Sequence, residues 1–232
     1  MISIRPAAER GHANHGWLDS YHSFSFSSYH DPDHMGYSNL RVINDDRIAP
    51  GGGFPTHAHE DMEIVTYVLD GALEHKDSMG NGSIIRPGDV QHMSAGTGVS
   101  HSEYNPSSDE PVHLLQVWLL PNRMGVAPGY AQQHFSDAAR RNRLALLVSP
   151  DGRDGSIAAH QDGLLFGTRL DDAVSVTHAL AAERRAYVHL ARGTARVKGE
   201  LLHGGDGARV DAGESIRIEG VDEAEVLLFD LP

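Results

Sequence analysis

Two short pairs carry the chemistry in this sequence: His57-Ala58-His59 and, further along, His101-Ser102-Glu103. In a β-strand the side chains at i and i+2 leave the same face, so each pair presents two donors to one side. Two neighbouring strands offering such pairs can build a site for a single ion, with coordination positions left over for water or substrate. Imidazole and carboxylate donors suit iron, nickel, copper, manganese or zinc. The sequence has no cysteine. Thiolate sites, disulfides and a cysteine nucleophile are therefore excluded, and a purely structural zinc site is the less natural reading. A lone His-x-His pair is a weak signal in a chain with 16 histidines. The second pair, with the framing Gly51-Gly52-Gly53-Phe54-Pro55 and Arg86-Pro87-Gly88, makes the combination specific. Glu63 is a further carboxylate of the right type and would also face inward in an unbroken strand. The residues alone leave Glu63 and Glu103 both open as the fourth ligand.

Other residues read more plainly. His92 lies between the two motif blocks and is weighed as a cavity proton shuttle against simple packing, with packing favoured. His75 reads as a strand-end residue. His12, His15, His22, His30 and His34 crowd the N-terminus and read as loop composition. Gly51, Gly52 and Gly53 have no Gly-Lys-Ser/Thr or helix after them, so a phosphate loop is not supported; they turn the chain into the His57 strand. No Ser-His-Asp or paired-carboxylate arrangement can be placed.

The elements that must position these groups are strands. Leu40–Ile43, Ile64–Leu69, Val112–Leu120, Leu144–Val148, Val174–His178, Ala186–Leu190 and Val226–Phe229 are short apolar runs bounded by Gly, Pro, Asn or Asp, the pattern of barrels and sandwiches. The one helical stretch is Ser136–Arg143, where Ser136 can cap the first turn and arginines suit the last. The chain reads as all-β, two domains with a short helical connector. Turn chemistry between Pro121 and Ile157 places the boundary there, dividing the chain into 1–125, carrying the metal pairs, and 126–232, a linker and second domain. Each half repeats a strand–turn plan: Tyr67–Gly71 before Arg86–Asp89, and His189–Gly193 before Asp211–Glu214.

With 232 residues, 40% hydrophobic and 22% charged, the chain has the composition of a folded protein with a substantial core. A net charge of -13 argues against direct nucleic-acid or anionic-membrane binding. Neither a signal-peptide core nor a membrane-length apolar run is found, and the cytoplasm is the expected compartment.

The Gly51–Gly71 stretch, with His57, His59 and Glu63, resembles the first cupin motif, and Arg86-Pro87-Gly88-Asp89 through His101 resembles the second. His22-Ser23-Phe24-Ser25-Phe26, Gly36 to Asn44, Glu74 to Asn81 and Val99 to Asn105 are similar to the pirins, in particular their bacterial quercetinase-like branch. The resemblance runs from about His22 to Glu103; the second half matches in layout only. It implies a bicupin, two β-barrels face to face, with one divalent transition metal in the N-terminal barrel, iron(II) first and Ni, Cu, Mn or Zn as alternatives. It also implies the ligand set His57, His59, His101 and Glu103. The interval from Glu63 to Gly71 is one residue longer than in the generic cupin motif, which points the same way. In the second half the aligned positions hold Ala179, Ala181, Arg185, Val226 and Leu228, so that barrel is expected to be metal-free. The activity implied is cleavage of a flavonol such as quercetin with O₂, with Glu103 as catalytic base. The alternative is a metal- or redox-sensing regulatory protein that acts on a protein partner.

Overall fold

Val, Ile, Leu and Tyr gather in short runs bounded by turn residues, so paired strands are the economical way to bury them. The computed structural model describes every residue, Met1–Pro232. Ahead of the connector helix come β1 (Ile2–Arg5), β2 (Gly11–Asn14), β3 (Leu18–His22), β4 (Leu40–Ile48), β5 (Gly53–His59), β6 (Glu63–Asp70), β7 (Leu73–Asp77), β8 (Gly82–Ile85), β9 (Asp89–Ser94), β10 (Val99–Tyr104), β11 (Val112–Leu119) and β12 (Gly129–His134). After the short helix α1 (Asp137–Arg140) follow β13 (Ala145–Ser149), β14 (Ile157–Ala158), β15 (Leu164–Leu170), β16 (Ser175–Ala179), β17 (Arg185–Val197), β18 (Glu200–His203), β19 (Gly207–Val210) and β20 (Ser215–Leu231). The all-β expectation holds. No helix is long and apolar enough to cross a membrane.

The N-terminal barrel is made of two sheets. One has the order β5-β10-β7-β8, the other β12-β9-β6-β11-β4-β3-β2. The C-terminal barrel is a single nine-stranded sheet bent on itself. Its β17 and β20 pair along most of their length, with register shifts at Leu190/Arg192, Arg192/Thr194 and Thr194/Ala195. Such bulges let a long strand turn a corner. The interior of this barrel is packed with apolar side chains, including Val188, Leu190, Val226 and Leu228.

The chain exchanges strands across the 125/126 division suggested by the sequence. β1 pairs with β19 of the second barrel, and β12 pairs with β9 of the first. The exchange has an apolar cause at one end, where Ile2 and Ile4 pack on the C-terminal core; at the other, β12 covers an edge of β9 that would otherwise be open. The helix is shorter than Ser136–Arg143. Ser136 does cap it, accepting from the Ala139 amide at 3.2 Å, but Asn142 takes a positive φ of 59° and the chain leaves the helix.

Between the barrels lies the largest core cluster. Val65, Tyr67, Leu69, Leu115 and Val117 of the first barrel meet Leu165, Tyr187, Leu227 and Phe229 of the second. One buried ionic group is set in it. Tyr67 donates to Glu225 at 2.5 Å, and Arg140, carried in by α1, lies 3.3 Å from the same carboxylate. The connector helix thus pins both barrels. Glu63 shares its strand face with Val65, Tyr67 and Leu69, and this parity decides its role.

Candidate metal centre

The four-stranded sheet sets the site by register. His101 stands opposite His57 of β5 on one side and Asp77 of β7 on the other, while Glu103 stands opposite Phe54 and His75. The β5–β10 register shifts between His101 and Glu103, so β5 carries an extra residue beside Pro55. Proline has no amide to donate and is tolerated at such a bulge. Gly53 opens the strand because β10 lies close: a Cβ there would fall 2.4 Å from the Glu103 carbonyl oxygen.

Hydrogen bonds assign the ring nitrogens. His57 Nδ1–H donates to the Pro55 carbonyl at 2.8 Å, leaving Nε2 as a lone pair. His75 Nε2–H donates to the Asp77 carboxylate at 3.2 Å, which leaves His75 Nδ1 as an acceptor. His101 Nδ1 lies 3.5 Å from it and must be the donor, so His101 Nε2 is also a lone pair. The two Nε2 atoms are 3.1 Å apart. Two acceptors facing each other repel unless a proton or a cation lies between them. His59 packs its ring edge-on to Trp118, with centroids 5.0 Å apart. Donor atoms of His57, His59 and His101 lie within 4.8 Å of one another, and so do those of His75, His101 and Glu103. This set of imidazoles with one adjoining carboxylate fits a divalent transition metal.

Glu103 therefore adjoins the three histidines through His101, and at that distance it groups with His75 rather than with His57 and His59. Its carboxylate accepts from the Gln116 amide at 3.0 and 3.2 Å and from Thr66 at 3.5 Å. Burial pushes its pKa up to about 7, against the opposing pull of those hydrogen bonds. Burial, and the neighbouring His57 and His59, hold His101 down to about 3. Burial and His57 bring His59 to about 4. Both rings are held in the neutral form that ligates metals.

Glu63 points elsewhere. It faces the interdomain core, where it accepts from His92 Nε2 at 2.7 Å, Ser94 Oγ at 2.6 Å and the His160 amide at 3.0 Å. Burial opposes its ionisation, but these donors hold its pKa below the usual value. His92 shares that face, where it donates to Glu63, and it is not among the residues lining the cavity. Two readings from sequence need correction. His75 is not at a strand end but within β7 and fully buried, and its side chain supports His101. His12 and His22 lie on strands, not loops, and with His15 they line a cavity. In the second half, His178 donates to Asp230 at 2.7 Å, and His189 is buried with neither ring nitrogen bonded.

The cavity holds about 800 Å³ and reaches from His57, His59 and Glu103 past Trp118, Phe26 and Tyr29 to His22, Asn44 and Asp46. β2 and β3 wall this cavity although they lie far in sequence from β10 and β11, so no local pattern marks it.

Two β-barrels packed through an apolar face, one of them holding a His/Glu cluster beside a deep cavity, define a bicupin. A family model described as Pirin matches residues 3–119, and one described as the quercetinase C-terminal cupin domain matches residues 146–231. The quercetin 2,3-dioxygenase of Escherichia coli (strain K12) is 51% identical over 232 residues, covering 100% of this chain and 99% of that protein. A pirin-like protein of Caulobacter vibrioides is 40% identical, covering 99% of each. The crystal structure of the E. coli bacterial pirin YhhW in complex with nickel(II) superposes with a TM-score of 0.95 at 50% identity, covering 100% of this chain and 99% of that one. The chain belongs to the pirin family, in its bacterial quercetinase-like branch.

Proposed function

We propose that this protein is a metal-dependent dioxygenase that cleaves a flavonol such as quercetin with O₂, and that His57, His59, His101 and Glu103 hold its single divalent transition metal. The carrying observation is the pair of imidazole Nε2 atoms facing each other at 3.1 Å at one end of an aromatic-walled cavity. The name and 51% identity of the E. coli relative support the same reading. Iron(II) is the first choice; nickel, with which the E. coli neighbour was solved, and copper, manganese or zinc have comparable claims on this donor set.

A bound divalent ion supplies Lewis acidity and a template for the substrate's enolic oxygens. The chain's own residues do the rest. Glu103, buried and hydrogen-bonded only to the neutral Gln116 and Thr66, takes the proton of the flavonol hydroxyl. Trp118, Phe26 and Phe54 flank the planar ring system, and the second barrel closes the back of the first and excludes water. Positioning of the substrate against these groups precedes attack by O₂.

Oxygen uptake tests this. Metal-loaded protein should consume O₂ and bleach the long-wavelength band of quercetin, and chelated protein should not. Glu103→Gln keeps the volume and one ligating oxygen but removes the base, so a loss of about 10²–10⁴-fold is expected. Absence of turnover with any flavonol under every metal loading would favour the regulatory reading, in which the metal state governs a protein partner.

A further inference from the structure

The deep end of the cavity has its own polar chemistry. His22 on β3 pairs in register with Asn44 on β4, and Ser20 pairs with Asp46. His22 Nδ1–H donates to Asn44 Oδ1 at 2.8 Å, so its Nε2 is an acceptor. Ser20 Oγ–H donates to Asp46 Oδ1. Three atoms remain without a protein partner: His22 Nε2, Asn44 Nδ2 and Asp46 Oδ2. None of them is among the buried unpaired atoms, and all three residues line the cavity although each is at least nine-tenths buried. Unpaired polar groups on a cavity wall are costly unless a ligand or water completes them.

Their character narrows the ligand. One acceptor, one amide donor and one carboxyl oxygen lie together, flanked by rings. His22 lies 5.3 Å from Phe26 and 6.3 Å from Tyr29, centroid to centroid, and Phe26 lies 5.4 Å from Trp118. An aromatic hydroxyl both donates and accepts, and its ring fills the space between such walls. A carboxylate ligand would lie against Asp46. Asn44 is the register partner of Gln116, which holds Glu103. From Gln116 to His22 is two strand spacings, roughly 10 Å. A three-ring phenol is long enough to bridge that span.

We propose that His22, Asn44 and Asp46 form a hydroxyl-reading subsite that binds phenolic hydroxyls on the ligand ring farthest from the metal-ligating end. This rests on the flavonol reading and adds the chemical feature the enzyme selects for: hydroxyls on a distal ring.

Anaerobic binding of nickel-loaded protein to a ligand series tests it. 3-Hydroxyflavone carries only the enolic hydroxyl, galangin adds those on the fused ring, and kaempferol and quercetin add one and two on the pendant ring. One of these additions should tighten binding about tenfold or more, the worth of one or two hydrogen bonds, and which addition does so identifies the ring that is read. In His22→Phe and in Asn44→Leu the ratio between the favoured flavonol and 3-hydroxyflavone should fall toward one. Equal affinity of the wild-type protein for all four ligands overturns the subsite and leaves the flavonol reading standing. Retention of the full ratio in both folded variants overturns the residue assignment. Failure of every flavonol to bind overturns both readings together.

Discussion

His57 and His101 direct their Nε2 atoms at each other across 3.1 Å, and each ring's other nitrogen is already committed, to the Pro55 carbonyl and to His75. A divalent cation relieves this facing of lone pairs. Ligand at about 100 times its Kd stabilises a protein by about 2.7 kcal/mol, which for a chain this size is a rise in Tm of roughly 5–10 °C. Nickel(II) or zinc added to chelated protein should produce that rise. His101→Ala should abolish it and empty the purified protein of metal by elemental analysis; a full shift in that variant would overturn the ligand assignment.

The two carboxylates separate by face. Glu103→Ala should lower metal content, because Glu103 adjoins His101. Glu63→Ala should leave metal content intact and cost about 3 kcal/mol of stability by stranding buried donors, since His92, Ser94 and His160 all bond to it. Metal analysis and chemical denaturation of both variants decide the matter. Loss of metal from Glu63→Ala with Glu103→Ala unaffected would reverse the roles.

His75 and Asp77 orient His101 from behind. Asp77 is itself fixed by the amides of Met79 at 2.9 Å and Asn81 at 3.0 Å. Supporting residues of this kind typically contribute 10–100-fold, on the order of tenfold at the least, to metal affinity. Asp77→Ala should weaken nickel binding by that much in a chelator competition, and nitrogen NMR should show His101 losing its single tautomer. Unchanged affinity would mean that His101 is held by packing alone.

His189 gives a pH dependence away from the metal. Burial, then Arg10, hold its pKa down to about 3, so the folded protein keeps it neutral while the unfolded chain takes up a proton below its ordinary value of about 6.5. Stability therefore falls as pH drops from 6.5 toward 3, and His59 and His101 add to the same slope in metal-free protein. His189→Leu removes one such group and two unpaired nitrogens. It should be neutral or stabilising by about 1 kcal/mol at pH 8 and raise Tm more at pH 5. Greater destabilisation at pH 5 than at pH 8 would contradict this.

Much of the first barrel was legible because strand parity is local. The pairs His57/His59 and His101/Glu103 stand out by i, i+2 spacing once taken together, and β6, β11 and β13 by their apolar runs. What resisted reading depends on distant pairing. Glu63 has the right residue type and only the packing of Val65 and Tyr67 against the second barrel reveals its face. His75 looks like a strand end until β10 is laid beside it. His22 belongs to a sequence crowded with histidines, and only the β3–β4 pairing brings it to the cavity wall. The exchange of β1 into the second barrel has no local signal at all.

Isotope incorporation tests the central claim most directly. Metal-loaded protein supplied with quercetin under ¹⁸O₂ should open the flavonol ring and place both labelled atoms in its products, with His101→Ala and chelated protein giving none. Unlabelled product, or consumption of O₂ without ring cleavage, would contradict a dioxygenase at this site.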